Sequence, residues 1–389
     1  MDVSERKNLI SDKFKESFDA EPEIWSRAPG RVDLMGSHTD YNQGYVLTEA
    51  INRDIWIAAR PREDGKVVIA SLDLVGVGDF NLQNIEYDLE VPWTNYIRGV
   101  AEILKKEGYL LTGFDGLVSS TIPIGSGLSS SAAIEVSTAV LFDALNNLQI
   151  DPVKMALICQ RAENEFVGMN CGILDQYTSA LGIEGEVLLL DCRSITSKSI
   201  PIAKGFQVVI CDTRAERKLT DSEYDERRRQ CEEGVILLSK HYPNIHALRD
   251  LSLYQFNKVE MHLPTVIAKR CKFVLEESQR VLDISNAIAE GDFEKIHSLT
   301  RASFQGAIDL YEISSLEMEK MMEAMLNAPG VIGARQAGAG FGGCMVAFVK
   351  SNQVNEFSQS VKEHYLASTS ISAHVYPVRA SAGAGLLSF

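Results

Sequence analysis

The sequence predicts an α+β protein of two domains. Segments rich in β-branched and apolar residues occur together with segments of helical spacing, a mixture typical of that fold class. The chain has 389 residues, of which 45% are hydrophobic, which is enough to bury one large or two ordinary cores. The transition with the fewest motifs runs from Arg193 to Pro201. We therefore predict one domain over residues 1–196 and a second over residues 197–389.

The first predicted domain begins with an amphipathic helix over residues 1–18. Lys66 to Leu72 reads Lys-Val-Val-Ile-Ala-Ser-Leu, and such a β-branched and apolar run predicts a strand. A helix begins at Asn95 and is expected to end near Gly108. Serine hydroxyls are expected to cap a helix that begins at Ser129. The elements predicted for this domain are helices at 1–18, 95–107, 129–145 and 152–166 and strands at 45–60, 66–72, 114–122 and 186–190.

The second predicted domain contains a highly charged helix over residues 216–238. We expect Arg227, Arg228 and Arg229 to lie on a mostly solvated face of that helix. The other segments are apolar, alternating or of helical spacing. They predict helices at 271–290 and 293–311 and strands at 205–211, 330–335, 344–350 and 372–377.

The charge of the chain excludes some classes of partner. A net charge of −15 and a pI near 5.0 argue against DNA, RNA or an anionic membrane as the main partner. No apolar run approaches membrane-spanning length, and the N-terminus has no signal-peptide core. The seven cysteines are scattered singly, as in proteins that keep reduced thiols. We therefore expect a cytoplasmic protein.

The most informative motif is Pro123-Ile-Gly-Ser-Gly-Leu-Ser-Ser-Ser-Ala132, between a predicted strand and a predicted helix. Glycines allow backbone N–H groups to approach a ligand, and a helix N-terminus is electropositive, so the segment can bind a phosphate. It is not a P-loop, because no Gly-Lys-Ser/Thr follows the glycines. A plain loop with a helix N-cap is the other interpretation of this segment alone.

Two further glycine-rich segments lie near the two ends of the chain, at residues 27–44 and 338–346. With the segment at 123–132 they occur along the chain in the same order as the motifs of a known family. Together with the phosphate segment they resemble the GHMP small-molecule kinases, and within that family the galactokinases. The resemblance extends over nearly the whole chain. The other matching stretches are 93–100, 162–176 and 223–233.

This resemblance implies an architecture and a reaction. It implies a two-domain GHMP kinase fold, with an N-terminal domain like a ribosomal-protein fold, a C-terminal ferredoxin-like domain and an active site in the interdomain cleft. The implied reaction is the ATP-dependent phosphorylation of the anomeric hydroxyl of D-galactose, with ATP and Mg²⁺ required. A small-molecule sugar and ATP are then the expected partners, and the expected assembly is a monomer or weak homo-oligomer.

The resemblance also assigns roles to individual residues. Asp175 is the implied base for the anomeric proton and Arg31 the implied stabiliser of charge at the transferred phosphate, although a structural ion pair is the plainer alternative. Ser131 and Glu163 are the implied magnesium ligands, although a helix N-cap and a solvated carboxylate would also explain them. The implied nucleotide-binding residues are Trp93, Gly125, Ser126, Gly127, Leu128, Ser129, Ser130 and Ser131. The implied sugar-binding residues are Ser37, His38, Asp40, Gly172 and Tyr224.

The first motif departs from the galactokinase pattern at three positions, and at two of them, Asp33 and Ser37, a polar side chain is exchanged for a different one. Galactokinases usually carry Asn-Leu-Ile-Gly-Glu-His where this chain has Asp33-Leu-Met-Gly-Ser-His38. Ser37 replaces the glutamate that meets the C6 hydroxyl of the sugar, so this contact must weaken or pass through a water. Galacturonate and L-arabinose are therefore alternative substrates. A sugar and ATP sensor without turnover is a third possibility, but such proteins alter the serine-rich segment, and Ser129 to Ser131 are all present here.

Overall fold

The structure is a computed structural model that describes residues 2–123, 125–215 and 220–389. Runs of strands and runs of helices follow one another along the chain, which confirms the predicted α+β class. Contacts divide the chain into two compact units. The first contains the residues up to Arg31, Ala50–Glu184 and Ser381–Phe389, and the second contains Val32–Glu49 and Gly185–Ala380. The boundary between residues 196 and 197 stays a prediction, and the compact units divide between Glu184 and Gly185.

Twelve strands and eleven helices occur among the described residues. The strands are β1 Ile24–Met35, β2 Tyr45–Arg62, β3 Lys66–Ser71, β4 Gly78–Asn81, β5 Gly113–Ser120, β6 Glu186–Asp191, β7 Thr196–Pro201, β8 Phe206–Asp212, β9 Val331–Gln336, β10 Cys344–Lys350, β11 His374–Pro377 and β12 Gly385–Leu386. The helices are α1 Val3–Phe18, α2 Asn95–Lys106, α3 Ser130–Asn146, α4 Pro152–Arg161, α5 Leu174–Leu181, α6 Thr220–Ser239, α7 Leu253–Val259, α8 Thr265–Glu290, α9 Phe293–Gly306, α10 Leu316–Leu326 and α11 Val354–Thr369.

The first unit is built on a mixed sheet whose strands follow the order β12-β1-β2-β5-β3-β4. β5 pairs antiparallel with β2 and parallel with β3, so it is buried inside the sheet. α1 packs against this sheet through Ile10 and Phe14, which lie with Trp25, Trp56 and Leu117 in one buried cluster. A capping box between Asp2 and Glu5 begins α1.

α3 is the central helix of the first unit. Its mean hydropathy is high and eleven of its residues, from Ala132 to Phe142, are buried. A helix that is apolar all round needs neighbours on several sides, and α3 contacts α2, α4 and α5. This packing fixes the N-terminus of α3, and with it the end of the phosphate segment.

The second unit is built on an antiparallel four-stranded sheet in the order β11-β8-β10-β9. β10 pairs with β8 from Cys344 to Lys350 and with β9 on its other edge. The helices α9, α10 and α11 contact this sheet, and Phe304, Met318 and Phe357 are buried in the core between them. At its N-terminal end, β2 also pairs with β6 in this unit, and β6 pairs with β7.

Most predicted elements are confirmed with small shifts of their ends, but two predictions are wrong. Ser129 does not cap α3 through its hydroxyl, because its backbone is left-handed (φ 58°) and its side chain bonds elsewhere. Arg227 is buried rather than solvated: its guanidinium donates to the carbonyls of Tyr311 and Glu312 at 2.8 and 3.0 Å. Those carbonyls belong to the end of a π-helical turn, Ala307–Tyr311, where backbone acceptors lack helical partners. Residues 216–219 of the predicted charged helix lie outside the described residues.

Candidate active site

The phosphate segment of the first unit has the backbone that its glycines predict. Gly125 and Gly127 have φ values of 71° and 74°, and Ser129 follows them into the left-handed region. The hydroxyl of Ser126 donates to the Pro123 carbonyl at 2.7 Å and closes the turn. Ile124 lies outside the described residues. The segment therefore ends in a strained residue directly before α3, a conformation found in loops that approach a ligand.

The start of the chain's first glycine motif packs against this segment. A Cβ atom at Gly30 would lie 2.6 Å from the Leu128 carbonyl oxygen, so only glycine fits there. The backbone N–H of Arg31 donates to that same carbonyl at 3.2 Å. The two motifs, almost one hundred residues apart in sequence, are thus held together by their backbones.

Arg31 connects the phosphate segment to the predicted base. Its Nη1 donates to the Gly127 carbonyl at 2.9 Å, while Nε and Nη2 bind the two oxygens of Asp175 at 2.7 and 2.6 Å. This bidentate geometry is the strong form of an arginine–carboxylate pair. The structure therefore brings Arg31 and Asp175 together, as predicted.

Asp175 lies in the first turn of α5 and receives a third donor. The hydroxyl of Ser129 bonds to Oδ2 of Asp175, the same oxygen that Arg31 Nη2 contacts. A carboxylate near a helix N-terminus is also favoured by the helix dipole. The side chain stays 25% exposed, so a hydroxyl of a bound molecule can reach it. These contacts fix the carboxylate while leaving it accessible.

The predicted magnesium ligands also lie together. Glu163, at the start of a π-helical turn over Ala162–Val167, is hydrogen-bonded to Ser131 and accepts from Gln176 Nε2 at 2.6 Å and from Cys171 Sγ at 3.2 Å. Burial raises the pKa of Glu163, and the negative charge of Asp175 raises it further. The predicted helix 152–166 therefore ends early as an α-helix, and its last turn widens at the carboxylate.

This arrangement fits a divalent cation. Burial raises the pKa of Glu135 as well, and the negative charge of Glu163 raises it further. Glu135 lies one helical turn beyond Ser131 and shares the Gln176 amide with Glu163. A cation beside Glu163 would relieve the repulsion among these acidic side chains. Hydroxyl and carboxylate oxygens are ligands that Mg²⁺ accepts, and phosphate oxygens and waters commonly complete its shell. Among the described residues, no group of three or more His, Cys, Asp and Glu side chains could hold a metal ion.

The other predicted residues of the first unit are placed less tightly. Trp93 is half-buried in a 3₁₀ turn, Pro92–Thr94, and its indole N–H donates to the Val75 carbonyl at 3.1 Å. That contact does not involve the phosphate segment. Gly172 lies three residues before Asp175 in the loop that leads into α5. Contacts of these two residues with a ligand stay predictions.

In the second unit, Ser37 belongs to a buried polar cluster. Its hydroxyl donates to Asp33 Oδ2 at 2.6 Å and accepts from Arg335 Nη2 at 2.8 Å. Arg335 is 0% exposed and also contacts Glu277 and Ser303 at 3.2 and 3.1 Å. The single hydroxyl proton of Ser37 is therefore engaged within the protein, and the C6 hydroxyl of a sugar cannot receive it without breaking this bond.

His38 has both ring nitrogens hydrogen-bonded within the second unit. Nε2 lies 2.9 Å from the Ala339 carbonyl oxygen and Nδ1 lies 2.8 Å from the Tyr41 hydroxyl. Burial lowers the pKa of His38 from 6.5 to about 4, which keeps the ring neutral at physiological pH. A carbonyl only accepts, so Nε2 carries the proton and Nδ1 accepts from Tyr41.

Asp40 and Tyr224 flank this histidine. Asp40 begins a 3₁₀ turn, Asp40–Asn42, and is half-buried. The ring of Tyr224 lies 5.4 Å from both the His38 and the Tyr41 rings. The structure thus brings Ser37, His38 and Tyr224 into one region of the second unit.

The C-terminal glycine motif packs on the same region. Gly338, Gly340, Gly342 and Gly343 all have positive φ, and at Gly340 a Cβ would lie 2.5 Å from the Ile313 carbonyl oxygen. This backbone path presents the Ala339 carbonyl to His38 and the Gly338 N–H to Asp33 at 3.4 Å. The motif therefore supports the region through its main chain.

Sequence reasoning missed several residues that complete these clusters. Arg335 ends an otherwise apolar predicted strand, and its charge there was the available signal. Glu277 lies in a predicted helix with several other charged residues, so its sequence context gives no such signal. Gln176 and Tyr41 are sequence neighbours of Asp175 and Asp40 inside matching stretches, but no role is assigned to them there. Glu135 and Tyr311 lie outside those stretches, and only the fold places them beside the predicted residues.

Three family models match the chain. They are the GHMP kinases N terminal domain over residues 95–183, the galactokinase galactose-binding signature over residues 12–61 and the GHMP kinases C terminal over residues 285–367. The galactokinase of Roseiflexus sp. (strain RS-1) is 39% identical over 97% of this chain and 96% of its own length. That of Chloroflexus aggregans is 40% identical over 96% and 95%. The chain belongs to the GHMP kinase family, among the galactokinases.

Solved structures agree with this membership of the GHMP kinase family. The crystal structure of Lactococcus lactis galactokinase complexed with galactose superimposes with a TM-score of 0.93 at 32% identity, covering 98% of this chain and 99% of that one. Methanococcus jannaschii mevalonate kinase, at 19% identity, shares the fold with a TM-score of 0.65 over 92% of this chain and 98% of its own. The predicted two-domain GHMP kinase fold and kinase class are confirmed.

Every helix in the described part of the chain is too short or too polar to span a membrane.

Proposed function

We propose that the protein transfers the γ-phosphoryl group of ATP to the anomeric hydroxyl of D-galactose, giving galactose 1-phosphate and ADP. The observation that carries this proposal is the Arg31 guanidinium, which binds the Gly127 carbonyl of the phosphate segment and both oxygens of Asp175. Phosphoryl transfer depends mainly on alignment and electrostatic stabilisation. Here one planar guanidinium hydrogen-bonds both the phosphate segment and a carboxylate, and so fixes their relative positions. Full-length galactokinase relatives at about 40% identity support the choice of reaction.

In the proposed step, the anomeric oxygen forms a bond to the γ-phosphorus as the bond from that phosphorus to the bridging oxygen breaks. Asp175 takes the hydroxyl proton, and ADP leaves with the electron pair of the broken bond. Arg31 supplies positive charge where negative charge develops on the transferred group. The Ser129 hydroxyl holds the Asp175 carboxylate in one orientation.

We propose that ATP binds through the main chain of Gly125, Ser126, Gly127, Leu128, Ser129 and Ser130, with Trp93 beside the nucleotide. Ser131 and Glu163 would hold Mg²⁺, which supplies charge neutralisation on the nucleotide phosphates when bound. Their mutual hydrogen bond and the raised pKa of Glu163 support this assignment. We also propose that the protein is cytoplasmic and a monomer or weak homo-oligomer.

We propose that His38, Asp40, Gly172 and Tyr224 contribute to the sugar site. Asp40 offers two acceptor oxygens to adjacent hydroxyls, a geometry suited to a vicinal diol. Ser37 acts through its size and its lack of charge, because its proton is engaged with Asp33. The absence of the family glutamate at position 37 favours a second candidate, a galacturonate or L-arabinose 1-kinase. The C6 carboxylate of galacturonate would not meet that glutamate, and L-arabinose, which has no C6 group, would not leave it unpaired.

The test is ADP release in the presence of ATP, Mg²⁺ and one sugar at a time. The panel contains D-galactose, D-galacturonate, L-arabinose, D-glucose and N-acetylgalactosamine. The proposal expects the highest kcat/KM with galactose and sugar 1-phosphate as the product. A higher value for galacturonate or L-arabinose would replace galactose by that sugar, and nucleotide binding without ADP release on any sugar would leave a sensor.

A further inference from the structure

Four side chains in the interior of the second unit form a chain of hydrogen bonds that ends at His38. The Tyr41 hydroxyl lies 2.8 Å from His38 Nδ1 and 2.9 Å from the Tyr311 hydroxyl. The Tyr311 hydroxyl in turn lies 3.2 Å from Cys231 Sγ. Motif matching assigns no role to Tyr41, Tyr311 or Cys231, and the phosphoryl transfer described above does not use them.

The direction of every hydrogen bond in this chain follows from the bond between His38 and the Ala339 carbonyl. The Ala339 carbonyl can only accept, so His38 Nε2 donates and a neutral ring leaves Nδ1 as an acceptor. Tyr41 therefore donates to Nδ1, Tyr311 donates to Tyr41, and the Cys231 thiol donates to Tyr311. All the hydrogen bonds thus point the same way, from the Cys231 thiol to the Ala339 carbonyl, and each group that accepts one becomes a stronger donor in the next.

The surroundings hold the members of this chain in place. The ring of Tyr311 is fully buried and stacks on Phe273, with centroids 4.5 Å apart. His38 has a left-handed backbone (φ 66°), and its carbonyl accepts from Asn42 Nδ2 at 2.8 Å. Such a backbone conformation in a non-glycine residue is kept only where its surroundings enforce it.

We propose that Tyr41, Tyr311 and Cys231 are positioning residues that fix His38 as its Nε2–H tautomer and thereby hold the Ala339 carbonyl and the Asp40 turn in the geometry that binds the sugar. The proposal rests on the proposed function, because it assigns sugar binding to this region of the second unit. It predicts an effect that decreases with distance from His38. Tyr41 contacts the ring directly, Tyr311 acts through Tyr41, and Cys231 acts through both.

The experiment compares Tyr41→Phe, Tyr311→Phe and Cys231→Ala in the full-length protein. The Tyr41 variant loses the donor to Nδ1, so its KM for galactose should rise about tenfold, while its KM for ATP stays within about twofold. In the Tyr311 variant, Tyr41 still donates to His38, so a smaller rise of about threefold is expected, and the Cys231 variant should differ least.

A merely structural role would give a different order. Tyr311 and Cys231 are more deeply buried than Tyr41, so losses of stability should be largest at those two residues. Urea unfolding of the same three variants measures that order independently. A KM order that follows stability rather than distance from His38 would overturn the proposal.

The tautomer is measured without sugar by ¹⁵N NMR of the histidine side chains, with the His38→Gln variant to assign the resonances. We expect His38 with Nε2 protonated and a hydrogen-bonded Nδ1, whose resonance shifts in the Tyr41 variant and hardly changes in the Cys231 variant. A protonated Nδ1 in the unmodified protein, or a Nδ1 resonance unaffected by Tyr41→Phe, would overturn the proposal. Because this measurement needs no turnover, its result is independent of whether galactose is the substrate.

Discussion

Ser37 donates a 2.6 Å hydrogen bond to Asp33, and these are the two polar positions at which the first motif departs from the galactokinase pattern. Both side chains are almost completely buried beside the Arg335 guanidinium, whose Nη1 lies 3.7 Å from Asp33 Oδ1. The family glutamate is absent at one position and a carboxylate has appeared at the other. In this chain Asp33 is therefore the carboxylate of the first motif that lies beside the buried arginine.

We expect these two positions to be energetically coupled. Ser37→Glu alone would place a second carboxylate beside Asp33, and like charges at this distance are destabilising. Asp33→Asn alone removes the negative charge that Ser37 and Arg335 face and should lower the free energy of unfolding by about 1–3 kcal/mol. The double variant should be more stable than the sum of the single effects predicts, by at least about 1 kcal/mol.

Urea unfolding of the four proteins in this cycle measures the coupling. Ser37→Glu combined with Asp12→Asn, which changes an exposed aspartate on α1, serves as the control and should be additive. The double variant should also prefer galactose over galacturonate more strongly than the unmodified protein does. Additive effects of Asp33→Asn and Ser37→Glu would refute the coupling.

The magnesium assignment predicts opposite effects on stability and on metal affinity. Burial and the charge of Asp175 raise the pKa of the Glu163 carboxyl, which means that the fold disfavours its charged form. Because Glu163→Gln replaces that group by a neutral one, the free energy of unfolding at pH 7.5 should rise or stay unchanged. The same variant should need about tenfold more Mg²⁺ for half-maximal ADP release. Glu165→Gln, on the same turn but exposed and paired with Arg161, is the matched control.

A second readout for the Glu163 variant is the binding of Mn²⁺ to the protein–nucleotide complex, followed by electron paramagnetic resonance. Weakened Mn²⁺ binding is expected for Glu163→Gln and unchanged binding for Glu165→Gln. Equal metal affinity in the unmodified protein and in the Glu163 variant would remove this residue from the metal site.

His38 makes stability depend on pH below neutrality. Burial is the main cause that lowers its pKa from 6.5 to about 4, and the charges of Arg227 and Arg335 act in the same direction, while the Ala339 hydrogen bond and Glu277 oppose them. Between pH 6.5 and about 4 the unfolded chain binds a proton at this residue and the folded chain does not. Stability should therefore fall as the pH decreases through that window, by on the order of 3 kcal/mol from this residue.

The unfolding free energy of the unmodified protein and of His38→Gln, measured from pH 7 to pH 4, tests this dependence. The difference between the two curves should narrow as the pH decreases, because the glutamine does not titrate. A constant difference over the whole range would show that His38 is not held neutral by the fold.

The sequence was sufficient to predict the parts of the site that lie in contiguous motifs. The left-handed turns at Gly125 and Gly127 follow from glycine itself, and the pairing of Arg31 with Asp175 follows from the family resemblance. Helix α1 was predictable because its apolar residues recur at helical spacing, and α3 was predictable because a long apolar run follows the serines. These features depend on local chemistry or on an ordered set of motifs.

The remaining features depend on contacts between residues that are distant in sequence. A charged helix with three successive arginines gives no sign that Arg227 is the one that turns inward, since the carbonyls that bind it belong to a π-helical turn more than eighty residues away. The serine run likewise predicted an N-cap at Ser129, but the proximity of Asp175 gives its hydroxyl a charged acceptor. Cys231 on α6 and Tyr311 in the π-helical turn after α9 come together because α6 and that turn both pack against α8.

The most direct test of the account is the turnover and ATP affinity of Asp175→Asn, measured by ADP release with galactose and by equilibrium binding of ATP. The amide cannot take the anomeric proton but keeps the size of the side chain, so kcat should fall by about 100-fold or more while the Kd for ATP changes less than about twofold. Asp12→Asn should leave both values unchanged. Retention of full turnover in Asp175→Asn, with the protein folded, would contradict the central claim that this carboxylate accepts the proton during phosphoryl transfer.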